Sequence, residues 1–503
     1  MVAETIRFGP FEPDKPTLAS GAAAVVTNAI PNANGYIPIR KVVPYSQELP
    51  GPALGASFAS SSTGTSFGFA GTADSLLSLS GASAAWQDVG RTAGYDAGPD
   101  ERWRFTQFGD LLIATNFSDP IQSFNMASGA RFGDLTPVAP LAPRARFVAV
   151  VRTFLFTAYT FDAVDGLKTG RVWWSASNAP NQFPTPNTAT AIQLLSTFQD
   201  MQADLGEVRG LVSALTSGDV SIFLERGVIN GIFTADPDLV FSFDAVEGGR
   251  GLAAPDSLVQ IAGRVFYLAE DGFYVFDGIQ SQTIGSQRVN DFFFRTADPN
   301  RIRQMRGFAD PFRPIIFWWF VSVNSTDGVL DQALAYNWEL NEWGFVDGQR
   351  IECFARTISP GFTLADVANI APTLDLLPGS LDDRLYAGGG LPILGAFTTD
   401  HKLGTFSGDA LQATLDTEER QLNDDRRTYV GQVRPYVDGG PTKVQAITRE
   451  LGTSLPVFGP LTPSSADGAA LVRATGRFHR FRCRIEDGAN WTAAQAVEIV
   501  HEP

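Results

Sequence analysis

Residues 259–276 read VQIAGRVFYLAEDGFYVF. Two runs of alternating apolar and polar residues flank Gly263-Arg264, and a third run, Gly272 to Phe276, follows a short acidic turn. Alternation over a few residues between glycine turns is the pattern of half-buried antiparallel strands. The shape recurs at 105–115 (FTQFGDLLIAT), where Gly109-Asp110 supplies a two-residue hairpin whose glycine accepts a positive φ. It returns at 211–224 (LVSALTSGDVSIFL), with GVINGIF following at 227–233, and in looser form at 147–156 (FVAVVRTFLF).

These copies place repeat units near 48–99, 100–142, 143–204, 205–254, 255–300, 301–350 and 351–410, a period of roughly 40–55 residues. Several strands per unit at that period predict an all-β chain built as a β-propeller of six or seven blades. A four-stranded blade cannot bury both faces alone, so blades pack around an axis. A stacked array of β-sandwiches is the structural alternative. Residues 1–47, rich in Pro, Ala, Gly and Asn, read as an extended N-terminal arm suited to reach a neighbour and to order on assembly. From 411 to 503 the texture changes. Ala413 to Asp416, Tyr429 to Val437, Lys443 to Arg449, Arg473 to Ile485 and Ala494 to Val500 are strand candidates for a small β-sandwich.

Composition narrows the chemistry. The 503 residues carry a formal charge of −16, with 44% hydrophobic residues, two cysteines (Cys353, Cys483) and three histidines (His401, His479, His501). So few Cys and His exclude a disulfide scaffold and a Cys-rich zinc site, and they disfavour His-dependent nucleophilic catalysis. The acidic balance argues against a surface that wraps nucleic acid. Of 38 basic residues only five are lysine. Arginine is the basic residue of buried partner surfaces, although a GC-rich genome gives the same bias. No apolar stretch approaches 18 residues; the strongest, PIIFWWFVSV at 314–323, has the length of a buried strand. The start lacks the apolar core of a signal peptide, so the expectation is a protein made in a reducing cytoplasm without membrane insertion.

Candidate sites are few. Gly64-Thr-Ser-Phe-Gly68 matches a nucleophile elbow in letters but lies in strand-rich sequence without the required helix, and reads as a hairpin turn. Gly388-Gly389-Gly390 has no Walker lysine and reads as a turn between strands. The pairs Asp236/Asp238, Glu270/Asp271, Asp382/Asp383 and Asp424/Asp425 leave room for a glycosidase, and Asp236/Asp238 or Asp331 for calcium, but no motif supports either. No catalytic residue, metal ligand or cofactor is assigned. Trp173-Trp174, Trp318-Trp319 and Trp338 to Trp343 read as core packing between blades. Arginines cluster at 295, 301, 303, 306 and 313, and again along 473–484. There, strand alternation puts Arg480, Arg482 and Arg484 on one face and His479, Phe481, Cys483 and Ile485 on the other. The arginine row is the candidate subunit contact; the alternatives are pairing with the chain's own carboxylates and binding DNA phosphate.

Several stretches, in order, resemble one family. SIFLERGVINGIF (221–233), GGRGLAAPDSLVQIAGRVFYLAEDGFYVFDG (248–278) and TIGSQRVNDFF (283–293) resemble tail nozzle or hub proteins of short-tailed bacteriophages, relatives of the packaged-DNA stabilisation proteins. FGPFEPDKPTLASGAAAVVTNAIPNANGYIPI (8–39), VWWSASNAPNQF (172–183), YNWELNEWGF (336–345) and GRFHRFRCRI (476–485) with Trp491 extend the resemblance over most of the chain. The resemblance implies a structural, non-enzymatic virion protein with no cofactor, forming a ring of usually six copies at the lower end of the tail. Its implied partners are further copies of itself, the adaptor and portal rings above, and a tail fibre, spike or needle. DNA would pass through the ring channel without sequence-specific binding. A propeller-based receptor-binding tail spike and a glycosidase are the alternatives from other classes.

Overall fold

A computed structural model describes residues 2–18, 20–80, 84–215, 218–358, 367–368, 371, 373, 392–423 and 426–502. The propeller stands on its sheet topology. Five four-stranded antiparallel sheets follow in sequence over 55–88, 104–134, 144–200, 208–248 and 259–283, each with strands in chain order. A seven-stranded sheet then holds two further blades joined by one long strand, Glu342–Ile358. Its first part pairs with Leu330–Asn337, closing blade 6, and its second part pairs with Pro392–Thr398, opening blade 7. Seven blades result among the described residues.

The turns follow the glycines. Phe108 pairs with Leu111 across Gly109-Asp110, with Gly109 at φ 58°. In the stretch 259–276 the loop is Ala262-Gly263, both with positive φ, one residue earlier than the sequence reading placed it. In the 211–224 hairpin Leu215 already pairs with Gly218, so Gly218 opens the second strand, and residues 216–217 lie outside the described residues. The elbow-like Gly64-Thr-Ser-Phe-Gly68 bridges strands Gly55–Ser60 and Ser66–Gly71, with Gly64 in the turn at φ 84°. The tryptophans pack as expected: Trp173, Trp174, Trp318, Trp319 and Trp343 are all buried.

The second body is a two-sheet β-sandwich. One sheet centres on Thr428–Val437 and Ala494–His501, the other on Thr442–Arg449 and Phe478–Ile485.

The N-terminal segment requires a correction. The described part of residues 1–47 is extended, but within this single chain it is not a free arm awaiting assembly. Val2–Arg7 pairs along its whole length with Ala494–His501. Val26–Thr27 joins the second sandwich sheet through Ala413–Asp416. Ala29–Asn32 and Gly35–Pro38 form a hairpin on the first. Val43–Glu48 is the outermost strand of blade 7, paired with Lys402–Thr405. The first blade strand and the last are thus contributed from opposite ends of the propeller sequence, which closes the ring non-covalently. Prolines and glycines give these short strands a loop-like texture, and three of them, Val2–Arg7, Val26–Thr27 and Val43–Glu48, borrow their partners from hundreds of residues away.

The same segment welds the two bodies. Ile6, Phe8, Phe11, Val26, Ala29 and Tyr36 lie in one continuous core with Phe273, Phe293, Trp318 and Trp343 of the propeller side and Val433, Phe481 and Trp491 of the sandwich. The Asn28 amide N–H donates to the Phe345 carbonyl at 2.7 Å, and the Asp347 N–H donates to Asn28 Oδ1 at 2.8 Å. The Asp14 carboxylate caps the short helix Asn290–Thr296, accepting from the N–H groups of Asp291 (2.9 Å) and Phe292 (2.8 Å). Phe11 is the hub, edge-on to Phe292 at 5.4 Å and beside Phe345. Phe11→Ala is expected to cost about 3–5 kcal/mol and to shift one shared unfolding transition in denaturant titration. A loss below about 1 kcal/mol, or a shift confined to one of two separate transitions, would show that the core is not shared in this way.

Candidate functional site: the arginine-lined mouth of the propeller channel

The first strand of every blade faces the propeller axis. Gly55 to Phe58, Arg104-Phe105, Phe147-Val148, Gly210-Leu211, Leu258, Arg306 to Phe308 and Cys353-Phe354 together line a channel cavity of about 530 Å³. Where the chain enters the inner strands of blades 2 to 6, a second cavity of about 470 Å³ forms the channel mouth. Five arginines, Arg102, Arg104, Arg146, Arg209 and Arg303, line it against three acids, Asp100, Glu207 and Asp256. With Arg306, Glu101 and Glu225, which pair with these groups from behind the wall, six arginines face five acids in a chain of net charge −16.

Asp256 is the pivot. It lies on the 3₁₀ turn Pro255–Ser257, which the Ser257 hydroxyl holds by donating to the Ala254 carbonyl and accepting from the Leu268 N–H. Trp318 Nε1 donates to the Ser257 carbonyl at 2.8 Å, tying the turn to blade 6. Asp256 Oδ1 accepts from Arg104 at 2.7 Å and Oδ2 from Arg306 at 2.8 Å. Burial works against its charge, but Arg104, Arg306 and Arg102 outweigh that and hold the carboxyl below its ordinary range. Arg209 is saturated by Glu207, Glu225 and the Leu252 carbonyl. Arg146 pairs with Glu101 at 3.1 Å and lies 3.9 Å over the Tyr159 ring. Arg303 reaches Glu207 at 3.6 Å. Arg102 differs. Its Nη1 donates to the Pro99 and Glu101 carbonyls, and among the described residues it meets no carboxylate. Burial first, then the neighbouring Arg306 charge, opposed by Asp256 and aided by Arg104, pulls it down to about 10, still charged at neutral pH.

Of this constellation the sequence reading had only Arg303 and Arg306, as part of a run. A signal was present: Arg104-Phe105, Arg146-Phe147 and Arg306-Gly-Phe308 put arginine at or near the start of the inner strands of blades 2, 3 and 6. The rest of that run is dispersed in one-to-one pairs, Arg295 with Asp14, Arg301 with Asp298 and Arg313 with Asp310.

The row Arg480, Arg482 and Arg484 lies on a strand flanked on both sides, by Thr442–Arg449 and by Ala413–Asp416 with Arg420–Gln421. The alternation holds, and His479, Phe481, Cys483 and Ile485 are buried. The arginines, however, engage the chain's own groups. Asp416, fully buried, accepts from Arg482 at 2.7 and 2.9 Å, with Arg480 at 3.6 Å. Arg484 donates to Gln412 Oε1. Blade 3 has a comparable hub: buried Arg171 pairs with Asp162, Asp165 and Asp200 and stacks 3.6 Å over Phe198.

The acidic pairs do not converge. Asp236 accepts the Asp238 N–H, Asp271 accepts the Tyr274 hydroxyl, and Asp331 accepts Ser322. Among the described residues no cluster of three His, Cys, Asp or Glu is arranged to hold a metal. Asp382/Asp383, Asp424/Asp425 and Gly388-Gly389-Gly390 lie outside the described residues. Both cysteines are buried and unpaired. His401 Nδ1 contacts Glu352 at 2.6 Å, and Glu352 also accepts the Ala53 N–H, so this pair braces blade 7 against blade 1. No described helix is long and apolar enough to cross a membrane.

No protein-family profile and no curated protein matches this chain. Among solved structures it is similar to an extracellular domain of B. thetaiotaomicron assigned to a one-component system. That match has 13% identity and a TM-score of 0.27, over 56% of this chain and 39% of that one. The chain thus spans about two-fifths of that domain's length. It is also similar to a chain of a mitotic checkpoint complex (10% identity, TM-score 0.36, 74% and 95% covered). BamB from Moraxella catarrhalis matches at 12% identity and TM-score 0.31, over 69% and 98%.

Two outcomes test the charge placement. Asp416→Asn removes the acceptor that two guanidiniums share in the sandwich core, and is expected to destabilise by about 3–5 kcal/mol in urea titration. A loss under about 1 kcal/mol would mean the pair is screened by water. His479 is fully buried, and burial, aided by His501 and opposed by the Thr428 backbone, pushes it down to about 4. An unfolded imidazole titrates near 6.5. Above that pH both states are neutral and the contribution is complete. As pH falls from about 6.5 to 4 the unfolded chain takes a proton the folded one refuses, and about 3 kcal/mol of stability is lost. His479→Phe should flatten that slope; an unchanged slope would place its origin elsewhere.

Proposed function

We propose that this protein is a structural ring subunit of a short bacteriophage tail, a nozzle or hub through which DNA leaves the particle. The single observation that carries the reading is the continuous core from Phe11 through Trp318 to Trp491. It makes propeller and sandwich one continuous body, stitched by a segment that closes the propeller and completes the sandwich. Such a body suits a part that must hold its shape while a stiff polymer under pressure passes beside it. The ordered resemblance over 8–39, 172–183, 221–293, 336–345 and 476–485 supports that reading. The partners are further copies of the chain, usually six, with adaptor and portal rings above and a fibre, spike or needle protein attached.

At −16 per chain, six copies would carry about −96. A negative ring lumen repels DNA and lets it slide rather than gripping it. The lumen of the ring lies between subunits and is distinct from each propeller's own channel.

Gold-labelled antibody against the chain is expected to mark the distal end of the tail in virions, and native mass spectrometry of the isolated tail to give a multiple near six. Label absent from particles refutes the reading. Trimers with labelled peripheral spikes favour the receptor-binding alternative. A basic lumen in a density map of the tail overturns the sliding argument alone.

A further inference from the structure

We infer that the channel mouth of the propeller is a binding site for a small multivalent oxyanion, a phosphate ester or a polycarboxylate, with Arg102 as its principal ligand. Three observations point there. The cavity, about 470 Å³, lies within the range of sites that enclose a small molecule. Its lining carries five arginines against three acids in an acidic protein, with Glu101 and Glu225 pairing Arg146 and Arg209 from behind the wall. Its charges are also unequally neutralised. Asp256 has already committed one oxygen to Arg104 and the other to Arg306. Glu207 is committed to Arg209, at 3.0 Å. Arg102 therefore stands beside this network with one terminal nitrogen spent on backbone carbonyls and no carboxylate among the described residues.

Asp256 acts on Arg102 only from a distance, and a half-buried guanidinium with no carboxylate in contact is costly, a cost that a bound oxyanion reduces. The planar fork suits phosphate and carboxylate alike, because both present two oxygens at the spacing of paired N–H groups. Arg303, mostly exposed and only 3.6 Å from its partner acid, can turn inward as a second ligand. Asn300 and Gln304 add amide donors on the same wall. Tyr159 and Phe147 lie beneath Arg146 and Arg104 and hold those side chains flat against the wall, leaving the cavity centre to the ligand. None of this depends on the tail reading.

The test uses the full chain in isothermal titration with pyrophosphate and, separately, with citrate, at low and high sodium chloride. One equivalent of at least one anion is expected, weakening with salt. Arg102→Met should weaken it tenfold or more while melting like the parent, and Arg131→Met on the outer rim should leave it unchanged. Arg102→Lys, which keeps the charge and loses the fork, should fall between, and it substitutes if the methionine variant misfolds. Pyrophosphate binding alone assigns a phosphate ligand; citrate binding assigns a carboxylate ligand. Binding of neither anion, or equal affinity in the parent and both Arg102 variants, overturns the proposal.

Discussion

The structure depends on one topological constraint: a ring of blades must be closed, and here the closing strand comes from the wrong end of the chain. Val43–Glu48 is threaded into blade 7 after its other strands, so the last blade exists only once both ends of the propeller sequence have met. Ser46 shows how tightly the join is made. Its hydroxyl accepts the Leu403 N–H from within the blade and the Trp86 indole N–H from blade 1. Everything upstream of that strand is then held near the propeller surface, and residues 2–38 use that position to build the sandwich. Loop-closure entropy grows only slowly with length, so a contact spanning some hundreds of residues is affordable once many are formed together.

Arginine is the second recurrent device. The chain uses it where a guanidinium can serve several acceptors at once: Arg171 with three aspartates, Arg209 with two glutamates and a carbonyl, Arg482 in a two-pronged pair with buried Asp416. A lysine ammonium is a point charge and would satisfy fewer of these fixed geometries. The excess of arginine over lysine thus has a structural use whatever set the codon bias. The same logic makes Arg102 conspicuous, since among the described residues it is the cavity-lining arginine with no carboxylate in contact.

Legibility was uneven for physical reasons. Blade strands were readable because each has its partner a turn away, so alternation and glycine turns sit side by side in sequence; 104–115 and 259–276 are examples. Sandwich strands from Ala413 onward were readable by their alternation alone, since their partners are distant in sequence, as Ala413–Asp416 with Phe478–Ile485 and Thr428–Val437 with Ala494–His501. The N-terminal strands were not, because Val2–Arg7 and Val26–Thr27 are stabilised by partners more than 380 residues on, and nothing local marks them. For the arginine row at 480–484 the face was legible and the partner was not. Alternation tells which side chains share a side, but Asp416 is brought there by the sheet register alone. The channel mouth was the least legible, since its residues come from five separate blade entrances.

What the sequence by itself determined is the local order: all-β, repeated four-stranded units, a change of texture near 410, and a chemistry poor in histidine and cysteine. Short-range hydrogen bonding and side-chain alternation suffice for that, because both act over a few residues. The tertiary structure alone decided that the propeller has seven blades closed by Val43–Glu48, that the first residues belong to the sandwich, and that five arginines meet around one opening. Those are consequences of ring closure, which brings each inner strand to a common axis and places side by side residues that no sequence period relates.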